Sequence, residues 1–97
     1  MRPEMKPLFV NIKCELGKTF DVANHMYDDI DETSEVYSTS GEYDLLVKFH
    51  LEESQSPGRF VAEKLHKIPG IRDTYTIIAF RIYGEQQERL GGEDRSV

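Results

Sequence analysis

Residues 43–51, YDLLVKFHL, hold the pattern that decides the fold of this chain. Every second side chain from Leu45 onward is apolar, and this period of two predicts a β-strand with one buried face. The buried face is predicted to carry Leu45, Val47, Phe49 and Leu51, and the mixed face Asp44, Leu46, Lys48 and His50. Residues 35–40 are β-branched and aromatic enough for a second strand, and Gly41-Glu42 offers a tight connection. The sequence therefore predicts a β-hairpin.

A second alternating stretch lies near the N-terminus. Apolar and mostly polar residues alternate from Leu8 to Leu16, which predicts another half-buried strand, and Gly17 ends it. Thr19 is then predicted to be the N-cap of a helix. The apolar residues of this helix recur at three- and four-residue spacing: Phe20, Ala23, Met26, Tyr27 and Ile30.

A second helix and a last strand follow the hairpin. Ser56-Pro57 combines a capping hydroxyl with a proline suited to the first helical position, and Pro69-Gly70 ends the helix. Its predicted apolar stripe is Phe60, Val61, Leu65 and Ile68. From Ile71 to Tyr83 a long strand carries apolar residues on both faces, so both faces need a partner.

The order strand, helix, strand, strand, helix, strand predicts an α+β, ferredoxin-like βαββαβ sandwich with both helices on one face of a four-stranded antiparallel sheet. We expect one domain over residues 7–83, an N-terminal extension over 1–6 and a flexible tail over 84–97. The other sheet face is predicted to carry Asn11, Lys13, Leu46, Lys48 and His50. This mixed composition is typical of a homodimer contact.

The overall charge argues against two classes of partner. The chain has 12 basic and 18 acidic residues, a net charge of -6, which opposes direct binding to nucleic acid or to anionic membranes. No cationic leader and no long apolar run occur in the sequence, so a cytoplasmic location is the default expectation.

The sequence gives little sign of a metal, a cofactor or catalysis. The spacing of His25, His50 and His66 with Cys14 does not match a metal site, and no cofactor motif occurs. Asn11 and His50 share the predicted open face, as polar residues do in small oxygenase-like α+β barrel enzymes. No paired carboxylates and no nucleophile with a base accompany them, so we expect a protein that is not an enzyme. The enzyme and a purely structural hetero-oligomer partner remain the alternatives.

Three stretches together resemble a known family. They are Ile12–Gly17, Glu35–Lys48 with its Gly-x-Tyr-Asp hairpin, and Ile68–Ile71 followed by Thr74 and Thr76. The chain resembles, from about Pro7 to Phe80, the ligand-binding (RAM) domain of the Lrp/AsnC family of transcription regulators. Family members also carry a helix-turn-helix domain, whereas few residues precede the first strand here. The resemblance therefore implies a stand-alone sensor domain.

The resemblance also implies a function and a site. Family members dimerise through their sheets, commonly assemble into octameric or decameric rings, and bind small effectors, typically amino acids, where dimers meet. Mixed assembly with DNA-binding relatives is a further expectation. The effector region matches Ser38, Thr39, Ser40, Gly41, Tyr43, Asp44, Thr74 and Thr76. Asp44 could pair with an α-ammonium, and the backbone amides of Ser40 and Gly41 could receive a carboxylate. Local roles in the turn remain open for Gly41 and Asp44.

Overall fold

The computed structural model describes residues 5–84, which form four strands and two helices. The elements are β1 (Met5–Cys14), α1 (Thr19–Asp29), β2 (Thr33–Ser38), β3 (Leu45–Glu52), α2 (Pro57–Phe60) and β4 (Ile71–Ile78). A π-helical segment, Val61–Leu65, continues α2. The strands lie in the order β2-β3-β1-β4, and every neighbouring pair is antiparallel. This confirms the α+β ferredoxin-like βαββαβ fold.

One hydrophobic core lies between the helices and one face of the sheet. β1 and β3 contribute alternate residues to it, because opposed residues of paired strands point to the same face. The buried side chains are Leu8, Val10, Ile12, Cys14, Val22, Met26, Ile30, Leu45, Val47, Phe49, Leu51, Phe60, Val61 and Leu65. Phe49 and Phe60 meet edge to face with ring centroids 4.9 Å apart, which joins β3 to α2. The predicted buried face of β3, formed by Leu45, Val47, Phe49 and Leu51, is therefore confirmed.

The predicted apolar stripe of α1 is wrong in part. Val22, Met26 and Ile30 are buried, whereas Phe20 is 79% exposed and Tyr27 is 66% exposed. Apolar residues occur around much of this helix, so spacing alone does not fix the side that meets the sheet. The cap also differs, because Lys18 occupies the N-cap position without a side-chain hydrogen bond and Thr19 begins the helix.

The second helix begins as predicted. Ser56 is the N-cap, its hydroxyl accepts a hydrogen bond from the Arg59 amide at 3.4 Å, and Pro57 follows at the first position. Phe60, Val61 and Leu65 are buried and Ile68 packs against the core, so the predicted stripe is confirmed. The following turn approaches α1 closely at Gly70, where an added Cβ would lie 3.0 Å from Val22 Cγ2.

Several strand boundaries differ from the predicted ones. β1 begins at Met5, inside the predicted N-terminal extension, and ends at Cys14, which leaves Leu16 99% exposed. β2 spans Thr33–Ser38 rather than residues 35–40, so residues 39–44 form a loop instead of a tight turn. β3 begins at Leu45, two residues after the predicted start at 43, and ends at Glu52.

The last strand is shorter than predicted. β4 ends at Ile78, and its pairing with β1 ends at the same residue, opposite Leu8. Phe80, Ile82 and Tyr83 lie beyond it and are exposed. An alternating pattern indicates that a strand is possible, but a strand also needs a neighbour to pair with. Except for Gly84, the predicted tail over 84–97 lies outside the described residues, and so do residues 1–4.

The face of the sheet away from the helices carries no covering element in the described part of the chain, and we call it the open face. By register it contains Pro7, Phe9, Asn11, Lys13, Glu35, Tyr37, Leu46, Lys48, His50, Asp73, Tyr75 and Ile77. The five positions predicted for this face all lie on it. No helix within residues 5–84 is long and apolar enough to cross a membrane.

Candidate effector site

The loop of residues 39–44 joins β2 to β3 and carries most of the predicted effector residues. The Thr39 amide donates to the Asp44 carbonyl at 3.0 Å, and the Thr39 hydroxyl donates to the Tyr43 carbonyl at 2.8 Å. Gly41 has φ +108°, a region that favours glycine, and an added Cβ would meet nothing within 4 Å. The glycine therefore serves the backbone conformation of the loop rather than close packing.

The tip of the loop offers free donors. Neither the Ser40 amide nor the Gly41 amide donates a hydrogen bond within residues 5–84, and both residues are exposed. Exposed amides of successive residues in a turn can receive an anion. Ser38 ends β2 opposite Leu45 and is also exposed. The loop can thus present amides and a hydroxyl to a ligand that arrives from solvent.

Asp44 has a structural role in this fold. Its Oδ2 accepts a hydrogen bond from the Cys14 amide at 2.7 Å, and its own amide donates to the Ile12 carbonyl at 2.9 Å. The pairing of β1 with β4 shifts register between Lys13 and Cys14, so the carboxylate bonds to an amide at an irregular point of the strand. The local role considered for Asp44 is therefore present, and Oδ1 accepts no hydrogen bond within residues 5–84.

Lys13 and Tyr75 join this loop from the open face. The Lys13 Nζ donates to the Glu42 carbonyl at 2.7 Å and lies 6.0 Å from the centroid of the Tyr43 ring. The Tyr43 and Tyr75 rings stack with centroids 6.3 Å apart and planes 24° apart. These contacts connect the loop to β1 and β4, and sequence reasoning did not assign either residue to the site.

Thr74 and Thr76 lie away from the loop. They oppose Ile12 and Val10 in β1, so they point to the helix side of the sheet. Ser38 and Thr74 belong to the two edge strands, about 14 Å apart given about 4.8 Å between neighbouring strands. The Thr74 hydroxyl lies 3.4 Å from His66 Nε2. Within one chain, the two threonines and the loop therefore do not form a single small pocket.

Three clefts within residues 5–84 lie away from this loop. One of 340 Å³ lies between α1 and the Pro69-Gly70 turn, one of 540 Å³ lies beside His50, and one of 560 Å³ lies at the end of the sheet remote from the loop. None of these three clefts contains a predicted effector residue. The predicted residues present an open surface rather than an enclosed cavity.

The shifted pKa values of Tyr43, Cys14 and His50 bear on the chemistry of the loop and the open face. Partial desolvation and the charges of Glu42 and Asp73 raise the pKa of Tyr43, so its hydroxyl stays protonated near neutral pH. Burial and the charge of Asp44 raise the pKa of Cys14, so the thiol is not an activated nucleophile. Desolvation and the nearby Lys48 ammonium lower the pKa of His50, which favours the neutral imidazole.

No group of three or more metal-ligating side chains able to hold a metal ion occurs within residues 5–84. Asn11 and His50 share the open face, as predicted, but they lie on different strands and oppose Leu46 and Pro7 respectively.

The ligand-binding domain of Lrp/AsnC regulators has a family model that matches residues 8–88 of this chain. The chain belongs to the Lrp/AsnC family. The predicted family is thereby confirmed, and the Lrp/AsnC match extends beyond the described residues.

Curated relatives of this Lrp/AsnC domain are regulators. Two proteins named HTH-type transcriptional regulator FL11, from Pyrococcus abyssi and Pyrococcus horikoshii, are 34% and 32% identical to the chain over 80 residues. Each alignment covers 82% of this chain and 52% of the relative, so the chain spans about half the length of these relatives. The family and its relatives support a regulatory, effector-binding role.

Solved structures share the fold. The crystal structure of FFRP-DM1 is 33% identical with a TM-score of 0.72, over 78% of this chain and all of that chain. The hypothetical protein PHS023 from Pyrococcus horikoshii is 28% identical with a TM-score of 0.70, over 91% of this chain and all of that chain. The transcriptional regulator NMB0573 from Neisseria meningitidis was solved as an L-Met complex and has a TM-score of 0.70 over 84% of this chain and 54% of that chain. At 13% identity, this last likeness shows the fold alone.

Proposed function

We propose that this Lrp/AsnC domain binds a small amino-acid-like effector with the 39–44 loop where two homodimers meet, and that binding shifts its assembly. The observation that carries the proposal is the open loop surface. The Ser40 and Gly41 amides of the loop donate no hydrogen bond within residues 5–84. The loop also lies beside the open face, which the described chain leaves uncovered. A site completed by neighbouring subunits couples ligand binding to assembly, because the effector then favours one oligomer over another.

The open face supports the homodimer. It combines Phe9, Leu46 and Ile77 with Lys48 and His50, most of them only partly exposed in the single chain. A mixed apolar and polar surface of this kind suits a contact between two copies, with aromatic and aliphatic residues inside and charges at the rim. Octameric or decameric rings of such dimers, alone or mixed with DNA-binding relatives, are the larger assemblies that we propose.

The chemistry of the loop supports an amino-acid-like ligand. Asp44 can accept a hydrogen bond from an ammonium group through Oδ1, and the Ser40 and Gly41 amides can donate to a carboxylate. The Neisseria regulator with the same fold was solved with L-Met. We propose that the ligand of this chain belongs to the same chemical class, with Thr74 and Thr76 contributed by a neighbouring subunit.

The test is thermal unfolding of the purified chain with each of the free L-amino acids. A ligand at about a hundred times its dissociation constant adds about 2.7 kcal/mol of stability. For a domain of this size we expect the midpoint to rise by about 10 °C or more. Sedimentation velocity with the same ligand should show a change in assembly. If no amino acid raises the midpoint, the effector proposal is wrong and a purely structural oligomer partner becomes the better reading.

The substitution Asp44→Asn separates the two roles of Asp44. The amide oxygen can still accept from the Cys14 amide, whereas the negative charge that would pair with an ammonium is lost. We expect stability to change by less than about 1 kcal/mol and the dissociation constant of the effector to rise about 10-fold or more. Isothermal titration calorimetry measures the affinity, with Asp21→Asn on the exposed face of α1 as the matched control. Unchanged affinity in Asp44→Asn would remove Asp44 from the site.

A further inference from the structure

The last row of the open face carries alternating charges on three neighbouring strands. Lys13 of β1 opposes Asp73 of β4, and Asp44 lies one position beyond the last pair of β1 and β3, opposite the end of β1. The cross-strand neighbours of this row lie about 5 Å apart. The row therefore presents a carboxylate, an ammonium and a carboxylate beside the 39–44 loop.

The Lys13 ammonium contacts the loop next to its two free amides, those of Ser40 and Gly41. The ammonium donates to the Glu42 carbonyl at 2.7 Å, directly after the Ser40-Gly41 pair along the chain. Within residues 5–84 it is the one basic side chain that hydrogen-bonds to this loop. An ammonium has three donors, and the Glu42 carbonyl accepts one of them. Two donors therefore stay available to a ligand.

The aromatic rings beside Lys13 define the orientation of this group. Tyr43 stacks on Tyr75, and the Lys13 ammonium lies 6.0 Å from the Tyr43 centroid, within the range of a cation–π contact. The raised pKa of Tyr43 keeps its hydroxyl protonated and able to donate. Lys13 is thus held by a carbonyl and a ring, and it is partly shielded from solvent. A positioned cation of this kind binds a carboxylate more strongly than a mobile surface lysine does.

We propose that Lys13 is the residue that binds the α-carboxylate of the effector, so that the site accepts free zwitterionic amino acids and rejects their amides and the corresponding amines. The inference rests on the proposed function and names the ligand class of the same site. Lys13 receives the carboxylate together with the Ser40 and Gly41 amides, while the Asp44 Oδ1 receives the ammonium. Two opposite charges side by side match the two opposite charges of a zwitterion.

A competing role for Lys13 is purely local, because its bond to the Glu42 carbonyl also fixes the loop. The substitution Lys13→Gln distinguishes the two roles. The glutamine amide can still donate to a carbonyl but carries no charge, so it keeps a loop tie and loses the attraction to a carboxylate. Lys13→Arg keeps the charge and serves as the conservative variant, and Lys18→Gln, on the exposed start of α1, is the matched control.

The experiment is isothermal titration calorimetry on the full chain with the free L-amino acids and with the α-carboxamide of each one that binds. For the parent we expect amidation to weaken binding about 10-fold or more, because one charge-assisted contact is lost. For Lys13→Gln we expect the free acid to bind about 10-fold more weakly and the carboxamide to change by less than about 2-fold. Lys13→Arg and Lys18→Gln should bind close to the parent.

Other outcomes overturn the inference in distinguishable ways. If Lys13→Gln binds the free acid as the parent does, the carboxylate is bound elsewhere and the proposed function stands without this residue. If Lys13→Gln loses both ligands equally, or Lys13→Arg loses the free acid as Gln does, Lys13 acts only by positioning the loop. If no free amino acid binds the parent, the inference fails together with the effector proposal.

Discussion

The two faces of the sheet are built from the same strands and differ in what covers them. On the helix side Val10, Ile12, Val47 and Phe49 are wholly buried, and no polar residue is buried among the described ones. On the open face Lys48, His50 and Asn11 alternate with apolar residues and remain partly exposed. A face covered within the chain can exclude every polar group, whereas a face that no described element covers must remain compatible with water.

The largest effect is expected on the covered face. Phe49→Ala removes a wholly buried ring that packs against Phe60, so we expect a loss of about 3–5 kcal/mol in the free energy of unfolding. Guanidinium denaturation followed by circular dichroism measures the loss. The matched control is Phe20→Ala, the same chemical change at an exposed position of α1, which should cost less than about 0.5 kcal/mol. Equal losses would mean that α1 is rotated relative to this structure.

A smaller but more specific effect is expected on the open face. Leu46→Glu places a charge at the centre of the proposed dimer contact, where its desolvation is unfavourable. We expect the dimer dissociation constant to rise about 100-fold or more while the far-ultraviolet spectrum of the chain stays unchanged. Sedimentation equilibrium at micromolar concentration measures it, with Asn24→Glu on α1 as the control. A variant that dimerises like the parent would show that the contact lies elsewhere.

The smallest effect concerns pH and His50. Desolvation and the Lys48 charge lower the pKa of His50 below its ordinary value of 6.5, while the charge of Glu35 opposes this shift and that of Arg81 reinforces it. Well above pH 6.5 the imidazole is neutral in both states and contributes no pH dependence. As pH falls from 6.5 towards the lowered pKa, the unfolded chain binds the proton before the folded chain does, so the folded chain loses stability. We expect His50→Gln to flatten the curve of stability against pH just below about pH 6.5. His66→Gln, at an exposed position directly after the π-helical segment, is the control, and an unchanged curve for His50→Gln would contradict the assignment.

The order and class of the elements were predictable because apolar residues recur at two spacings in the chain. They recur at every second position in the strands and at every third or fourth position in the helices. The alternation over 45–51 fixed β3 and its buried face, and Ser56-Pro57 fixed the start of α2 through local chemistry. The ends of the strands were less predictable. Residues 79–83 alternate as well as those of β4 do, but β4 stops at Ile78, where its pairing with β1 ends. Pairing is a property of two segments, so one segment's pattern does not reveal where it stops.

The residues of the loop were predictable as part of the candidate site, whereas the residues that contact the loop from other strands were not. Ser38 to Asp44 form a continuous stretch with a recognisable Gly-x-Tyr-Asp pattern, and the structure keeps them together at the end of β2 and in the 39–44 loop. Lys13 precedes this stretch by 25 residues and Tyr75 follows it by 31, and only the register of β1 with β4 brings them to the same end of the sheet. No local pattern distinguishes them from other strand residues.

The sequence by itself determined the class of fold and the composition of both sheet faces, because side-chain alternation and capping chemistry act over a few residues. It also determined the family, through the resemblance of three short stretches. Only the tertiary structure decided which side of α1 meets the core, why Phe20 and Tyr27 remain outside, and which charges meet in the row of Asp73, Lys13 and Asp44. These features depend on how strands pair and how a helix rotates against a sheet. Long-range packing determines both the strand register and the rotation of the helix. Neither is defined until residues far apart in the chain come together.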